Sequence, residues 1–299
     1  MTRRTATATA LAVLLLGAGL AALLARSPAR SPARNPVRPA PAQPASVPDY
    51  APLARQLAAY ANSRPAHYTI YFQDLATGRE ATVEADRPVY AASTIKVPIV
   101  LYLNTLVAEG KAAFDTRVTY SEQLHYEGGA GILHLTARDG DTFSLRVLAN
   151  LAITISDNVA TNMLLTYLGR EETKAFLRSL GGTTVYPGDQ NVSTARDMGA
   201  YMRAVLDFAR RHPDLGNRLL DDMANSIYHI GLPGELPPGL RVAHKEGDYT
   251  GVTDDVGIVY AQRPFIFCVL SDGQPDPEAG FADIAHLTKI AYDFQLSLK

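Results

Sequence analysis

Two β-rich stretches, far apart in the chain, constrain its fold more than any other feature. The first, "HYTIYFQDLATGREATVEAD" (residues 67–86), reads as a hairpin: aromatic and β-branched residues, turn residues around Gly78, then the alternating "EATVEA". β character returns only near Arg241, in "RVAHKEG", "DDVGIVYA" and "RPFIFCVLS". Neither group is large enough to stand alone. A single antiparallel sheet built from both buries the apolar face of each.

Everything between them reads as helix. Ser93 to Gly110 forms one helix ended by a glycine. "TFSLRVLANLAITIS" is a second, strongly apolar one, and "NVATNMLLTYLG" and "EETKAFLRSLGG" each close on glycine. "STARDMGAYMRAVLDFARR" is amphipathic and opens with a Thr194–Asp197 capping arrangement. Helices also flank the sheet, "DYAPLARQLAAYANS" before it and "AGFADIAHLTKIAYDFQLSL" after it. The expected fold is α+β in two lobes. Residues 49–90 and 240–299 form a sheet lobe with its terminal helices, and 91–239 form an inserted all-helical lobe. A site is expected between them.

The chain ahead of this domain has a different character. Arg3 and Arg4 precede an uncharged stretch to Ala25 centred on "LAVLLLGAGLAALLA", the pattern of a signal peptide or N-terminal membrane anchor over residues 1–25. Residues 26–48 form a proline- and arginine-rich repeat with no core-forming residues, read as an extended linker. Residues 49–299 therefore make up an exported domain, periplasmic, extracellular or membrane-tethered and facing outward.

Of 28 basic residues, six arginines lie in the first 48 positions, which carry no acid. The remaining 22 face 30 acidic residues, a balance that argues against a nucleic-acid partner. The partner expected is a small molecule, with membrane contact only through the N-terminal segment and the chain a monomer. Cys268 is the single cysteine, set in "PFIFCVL" as a buried thiol. The seven histidines show no metal-binding spacing, and no cofactor is expected.

Three short motifs carry chemistry. Ser93 and Lys96 stand at i,i+3 on one helix face, within reach of one another. A serine hydroxyl needs a base, and a lysine in an apolar site has a lowered pKa that suits it. Alone this means little, since S-x-x-K arises about once by chance in a chain of ordinary composition and this length. Ser156-Asp157-Asn158 falls at a turn between two helices, where all three types also serve as caps. His244-Lys245-Glu246-Gly247 falls on the first strand of the returning sheet. There the glycine permits close backbone approach and the lysine offers a point charge.

In this order the three resemble the S-x-x-K, S-D-N and K-T-G set of class A β-lactamases and penicillin-binding proteins. The resemblance runs from about Asp49 to the C-terminus and implies the split-sheet fold already expected. It implies that Ser93 is the acylated nucleophile and Lys96 its base or proton relay. Ser156 would pass a proton to the leaving nitrogen, and Asn158 would bind the substrate amide. Lys245 would hold Ser156 and attract the substrate carboxylate. With Gly247 giving access, the backbone N–H groups of Ser93 and Asp248 would form the oxyanion hole.

The sequence departs from the family pattern at two places. Glu246 stands where Thr or Ser helps bind the substrate carboxylate; facing the pocket it would repel an anion, and facing away it would be harmless. The stretch "LRSLGGTTVYPGDQNVSTARD" also lacks the family's loop glutamate, in E-x-x-x-N, that activates the deacylating water. Asp189 and Gln190 are the nearest polar candidates, while Glu171 and Glu172 suit the start of a helix. The expectation is an exported acyl-serine hydrolase acylated by β-lactams or related amides and esters, with slow release. The alternatives are a cell-wall D,D-peptidase or esterase, and a penicillin-binding sensor that does not turn over.

Overall fold

One antiparallel sheet takes two strands from the front of the chain and three from its end. The computed structural model describes residues 48–298, so the expected export segment and nearly all of the linker lie outside the described residues. Helix α1 (Ala51–Ala61) precedes the hairpin β1 (His67–Asp74) and β2 (Glu80–Val83). Strand β3 (Val89–Tyr90) leads through a 3-10 turn (Ala92–Ile95) into α2 (Lys96–Ala108). Next come β4 (Arg117–Thr119), α3 (Glu122–His125), α4 (Leu133–Thr136), β5 (Thr142–Ser144) and α5 (Leu145–Thr154). They are followed by α6 (Asn158–Leu168), α7 (Arg170–Ser179), β6 (Val192–Ser193), α8 (Ala195–Arg211) and α9 (Pro213–Ala224). Strands β7 (Val242–Tyr249), β8 (Val252–Val259) and β9 (Phe265–Asp272) complete the sheet, and α10 (Pro277–Ser297) follows. Among the described residues no helix is long and apolar enough to cross a membrane.

The sheet order is β2-β1-β9-β8-β7, which leaves β7 at an edge. Side chains alternate across it. Ile70, Phe72, Phe265, Phe267 and Val269 pack with Leu53, Leu57, Ile284 and Leu287 of α1 and α10. Tyr71, Ile266, Cys268 and Leu270 face the other way, onto the helical insert. Both faces of β9 are covered, which is why "PFIFCVL" is an unbroken apolar run rather than an alternating one. Cys268 is fully buried, as expected, and burial raises the pKa of its thiol.

Two expected helices begin differently. The segment from Ser93 divides into the 3-10 turn and α2, so Ser93 sits in a tighter coil than Lys96. The helix expected from Thr142 starts at Leu145, because Thr142–Ser144 pairs with Arg117–Thr119. Ser144 then caps the helix, its Oγ accepting from the Val147 N–H. The expected Thr194 cap is present, with its Oγ1 accepting from the Asp197 N–H at 3.0 Å. The Asp197 carboxylate accepts from the N–H groups of Thr183 and Thr184, which ties the loop before β6 to α8.

Candidate active site

Edge strand β7 runs directly against the turn that carries Ser93. A Cβ on Gly247 would lie 2.5 Å from Ser93 N and 3.0 Å from the Ala92 Cβ, so only glycine lets the two backbones meet. Ala92 itself holds φ +43, a conformation that non-glycine residues rarely adopt and that clusters at functional sites. The Asn191 amide fixes this turn by donating to Ala92 O at 2.7 Å. The Ala91 N–H donates back to Asn191 O at 2.8 Å.

A cleft opens beside Ser93. Six of the seven expected residues line it: Ser93, Lys96, Ser156, Asn158, Lys245 and Asp248. Gly247 is the seventh, packed behind the Ser93 backbone. The turn at Ser156-Asp157-Asn158 forms because α5 ends with Ser156 at φ +56 and the Asp157 N–H reaching back to Leu151 O at 3.0 Å. Asp157 then caps α6, its Oδ1 accepting from the Ala160 N–H at 2.8 Å. Its Oδ2 accepts from the N–H groups of Ile132 and Leu133, at 2.7 and 2.9 Å. This carboxylate therefore anchors the loop that forms one wall of the cleft.

Lys96 is buried, 5 % exposed, and its ammonium has three partners. It donates to Ser156 O at 2.7 Å, Ser156 Oγ at 3.2 Å and Asn158 Oδ1 at 2.6 Å. Ser93 Oγ is not among them, so the charged form spends all three donors away from the nucleophile. Burial, then the nearby Lys245 charge, push the Lys96 pKa down to about 7. The neutral amine has a lone pair and can take a proton; the ammonium cannot. The Asn158 amide is also held at its other end, where Nδ2 donates to Gly128 O at 2.9 Å.

Lys245 is fully buried on β7 and donates to Glu246 O at 2.5 Å, with the Tyr228 ring 6.0 Å from its Nζ. Ser156 is thus held by Lys96, while the Lys245 bond goes to its own strand. Burial pushes the Lys245 pKa down to about 8, against the pull of Asp255, Glu246 and Asp248.

The alternation of β7 puts Lys245 and Gly247 toward Ser93 and Glu246 on the other face. Its register partner there is Asp255. Glu246 Oε1 accepts from the Gly231 N–H at 2.9 Å, and Asp255 Oδ2 from the Leu232 N–H at 2.7 Å. His244 Nδ1 lies 2.9 Å from Asp255 Oδ2. Glu246 is nevertheless among the residues that line the cleft, together with Tyr228 and Ile230. The buried trio of His244, Glu246 and Asp255 comes from two strands, so no sequence spacing announces it.

Glu127, Arg170, Tyr186, Asp189 and Asn191 also line the cleft. Asp189 is spoken for: Lys174 Nζ pairs with its Oδ1 and with Glu171 Oε1. Asn191 was legible only as the polar end of the loop that lacks glutamate, and nothing local singled out Glu127.

The Beta-lactamase2 family, described as a beta-lactamase enzyme family, matches residues 52–295. A β-lactamase of Bacillus licheniformis is 27% identical over 83% of this chain and 86% of its own length. One from Streptomyces lavendulae is 28% identical over 80% and 83%. The solved structure of PBP-A superposes with a TM-score of 0.77 at 28% identity, covering 83% of this chain and 97% of that one. An ancestral class A β-lactamase gives a TM-score of 0.73 at 27% identity, over 81% and 99%. With the serine, lysine and serine–aspartate–asparagine turn gathered in one cleft on this fold, the chain belongs to the β-lactamase enzyme family of serine hydrolases.

Proposed function

We propose that Ser93 is acylated by a β-lactam or a related amide or ester, and that the acyl group is released slowly. The carrying observation is the buried Lys96, whose pKa of about 7 leaves much of it neutral at physiological pH. Ser93 Oγ attacks the carbonyl carbon and its proton passes to the Lys96 amine. The C–N or C–O bond then breaks. The leaving atom takes a proton from Ser156 Oγ, which is resupplied from Lys96 at 3.2 Å. The developing oxyanion is received by the backbone N–H groups of Ser93 and Asp248. Asn158 positions the substrate amide.

Slow release rests on the loop from Thr183 to Ser193. It contains no glutamate, and its one acid, Asp189, is paired with Lys174. This favours a penicillin-binding reading over rapid turnover. A mutant of PBP-A, with a TM-score of 0.76 to this chain, has been solved as an acyl-enzyme complex with penicillin G. The protein is read as exported through residues 1–25 and held off by the linker 26–48, acting as a monomer on a small molecule.

The test is a time course with a chromogenic cephalosporin, read beside intact-protein mass spectrometry. A stoichiometric burst with a long-lived adduct at Ser93, absent in Ser93→Ala, is expected. An adduct that persists in Ser93→Ala overturns the assignment of the nucleophile. Steady rapid turnover overturns slow release.

A further inference from the structure

We infer that the cleft prefers acyl donors with no anionic group beside the scissile bond, and that Glu246 sets this preference. The inference rests on the proposed acylation of Ser93 and names the substrate class. Lys245 is the cation that an anionic substituent would meet as it lies along β7. Three carboxylates act on that ammonium: Asp255, Glu246 and Asp248. Glu246 and Asp255 face each other in register across β7 and β8, and Asp248 follows on the same edge strand, exposed in the cleft.

The carboxylates are fixed rather than swept aside by solvent. The Gly231 and Leu232 N–H groups hold Glu246 and Asp255 at 2.9 and 2.7 Å. Glu246 is 5 % exposed and Asp255 wholly buried; burial raises the Glu246 pKa to about 7, so above that pH its carboxylate carries a poorly screened charge. Asp255 shares its charge with the buried His244 at 2.9 Å, so an incoming carboxylate would approach the Lys245 cation with Glu246 and Asp248 as the unpaired anions beside it. A neutral group meets no such penalty. Selection here works by repulsion of the wrong charge.

Penicillin G and its methyl ester differ only in that charge and carry the same reacting carbonyl. At pH 8.5 the second-order rate of adduct formation is measured for both by intact mass. The wild-type chain is expected to react with the ester at least about tenfold faster than with the free acid. Glu246→Thr is expected to raise the free-acid rate about tenfold and to change the ester rate little. Glu246→Gln, which keeps the shape, should move the ratio in the same direction and separates charge from packing. Equal rates for the two compounds in wild type, or a ratio that neither variant moves, overturn the inference while acylation stands. No adduct from either compound overturns the acylation reading and this inference with it.

Discussion

Lys96 Nζ lies 2.6 Å from Asn158 Oδ1, the shortest of the three bonds that tie α2 to the turn opening α6. The bond binds the proposed base to the residue proposed to hold the substrate. A protonated Lys96 is therefore well placed but chemically idle, and losing its proton frees the amine to turn toward Ser93.

A pH profile follows. Acylation requires neutral Lys96, so its rate should rise as pH increases through about 7 and level off above. Stability should move the same way. The folded pKa of Lys96 is depressed from 10.5 to about 7, so between these values the unfolded chain binds a proton that the folded chain does not. Stability then rises with pH across that window and falls away as pH drops toward 7. Lys245, lowered to about 8, adds in the same direction. Lys96→Met should flatten the rise by an amount on the order of 2 kcal/mol between pH 6 and 9, read by urea unfolding, and lower acylation about 10³-fold. A rate independent of pH from 5 to 9 would sink the role of Lys96.

Asp157 is expected to matter for the fold more than for the chemistry. Its carboxylate satisfies the N–H groups of Ile132, Leu133 and Ala160. Asp157→Ala leaves these without a partner and should cost about 3–4 kcal/mol, since each buried orphan donor costs about 1–3 kcal/mol and some find water. Hydrogen exchange at Ile132 and Leu133 should speed up alongside. Full retention of protection at those two amides would contradict the anchoring.

The chemistry of this site was more legible in the sequence than its selectivity. Ser93 with Lys96, and Ser156 with Asn158, are local pairs, fixed by the 3-10 turn running into α2 and by the turn between α5 and α6, so their spacing carried the information. Lys96 choosing Ser156 and Asn158 as partners depends on how α2 packs against the α5–α6 turn, which no spacing encodes. The face taken by Glu246 was undecidable for a similar reason: alternation assigns opposite faces to neighbours, but only the segment at Gly231 and Leu232, distant in sequence, shows where the carboxylate is held. The short strands β3 and β6 were missed because two-residue pairings have no periodicity, yet they bring Asn191 to Ala92.

Gly247→Ala should separate geometry from folding. The added Cβ would sit 2.5 Å from Ser93 N, where real side chains do not fit, so β7 or the Ser93 turn must retreat. A displacement of this kind misplaces the nucleophile and a proposed oxyanion donor together. Acylation should drop about 10²-fold. β7 is an edge strand and can shift outward, so the loss of stability should stay near 1–2 kcal/mol. Wild-type acylation by this variant would mean that the close approach is not needed.

Release of the acyl group should depend on the loop from Thr183 to Ser193. Within the loop from Thr183 to Ser193, Tyr186, Asp189 and Asn191 line the cleft. Asp189 is paired with Lys174, and Asn191 is spent on Ala92. Tyr186 is the position where a new carboxylate would face the cleft without breaking either anchor. Its φ of +46 is already strained for a side-chain-bearing residue, so glutamate inherits that cost rather than adding it. Burial, which raises the Tyr186 pKa, would raise that of the new carboxylate too, and Arg170 in the cleft lining would pull it back down, toward the range a base for water requires. Tyr186→Glu should therefore shorten the lifetime of the Ser93 adduct by about 10²-fold while leaving its rate of formation within about threefold. The measurement is decay of the adduct mass after removal of free β-lactam. An unchanged lifetime in a folded variant would show that the missing loop carboxylate is not what makes release slow.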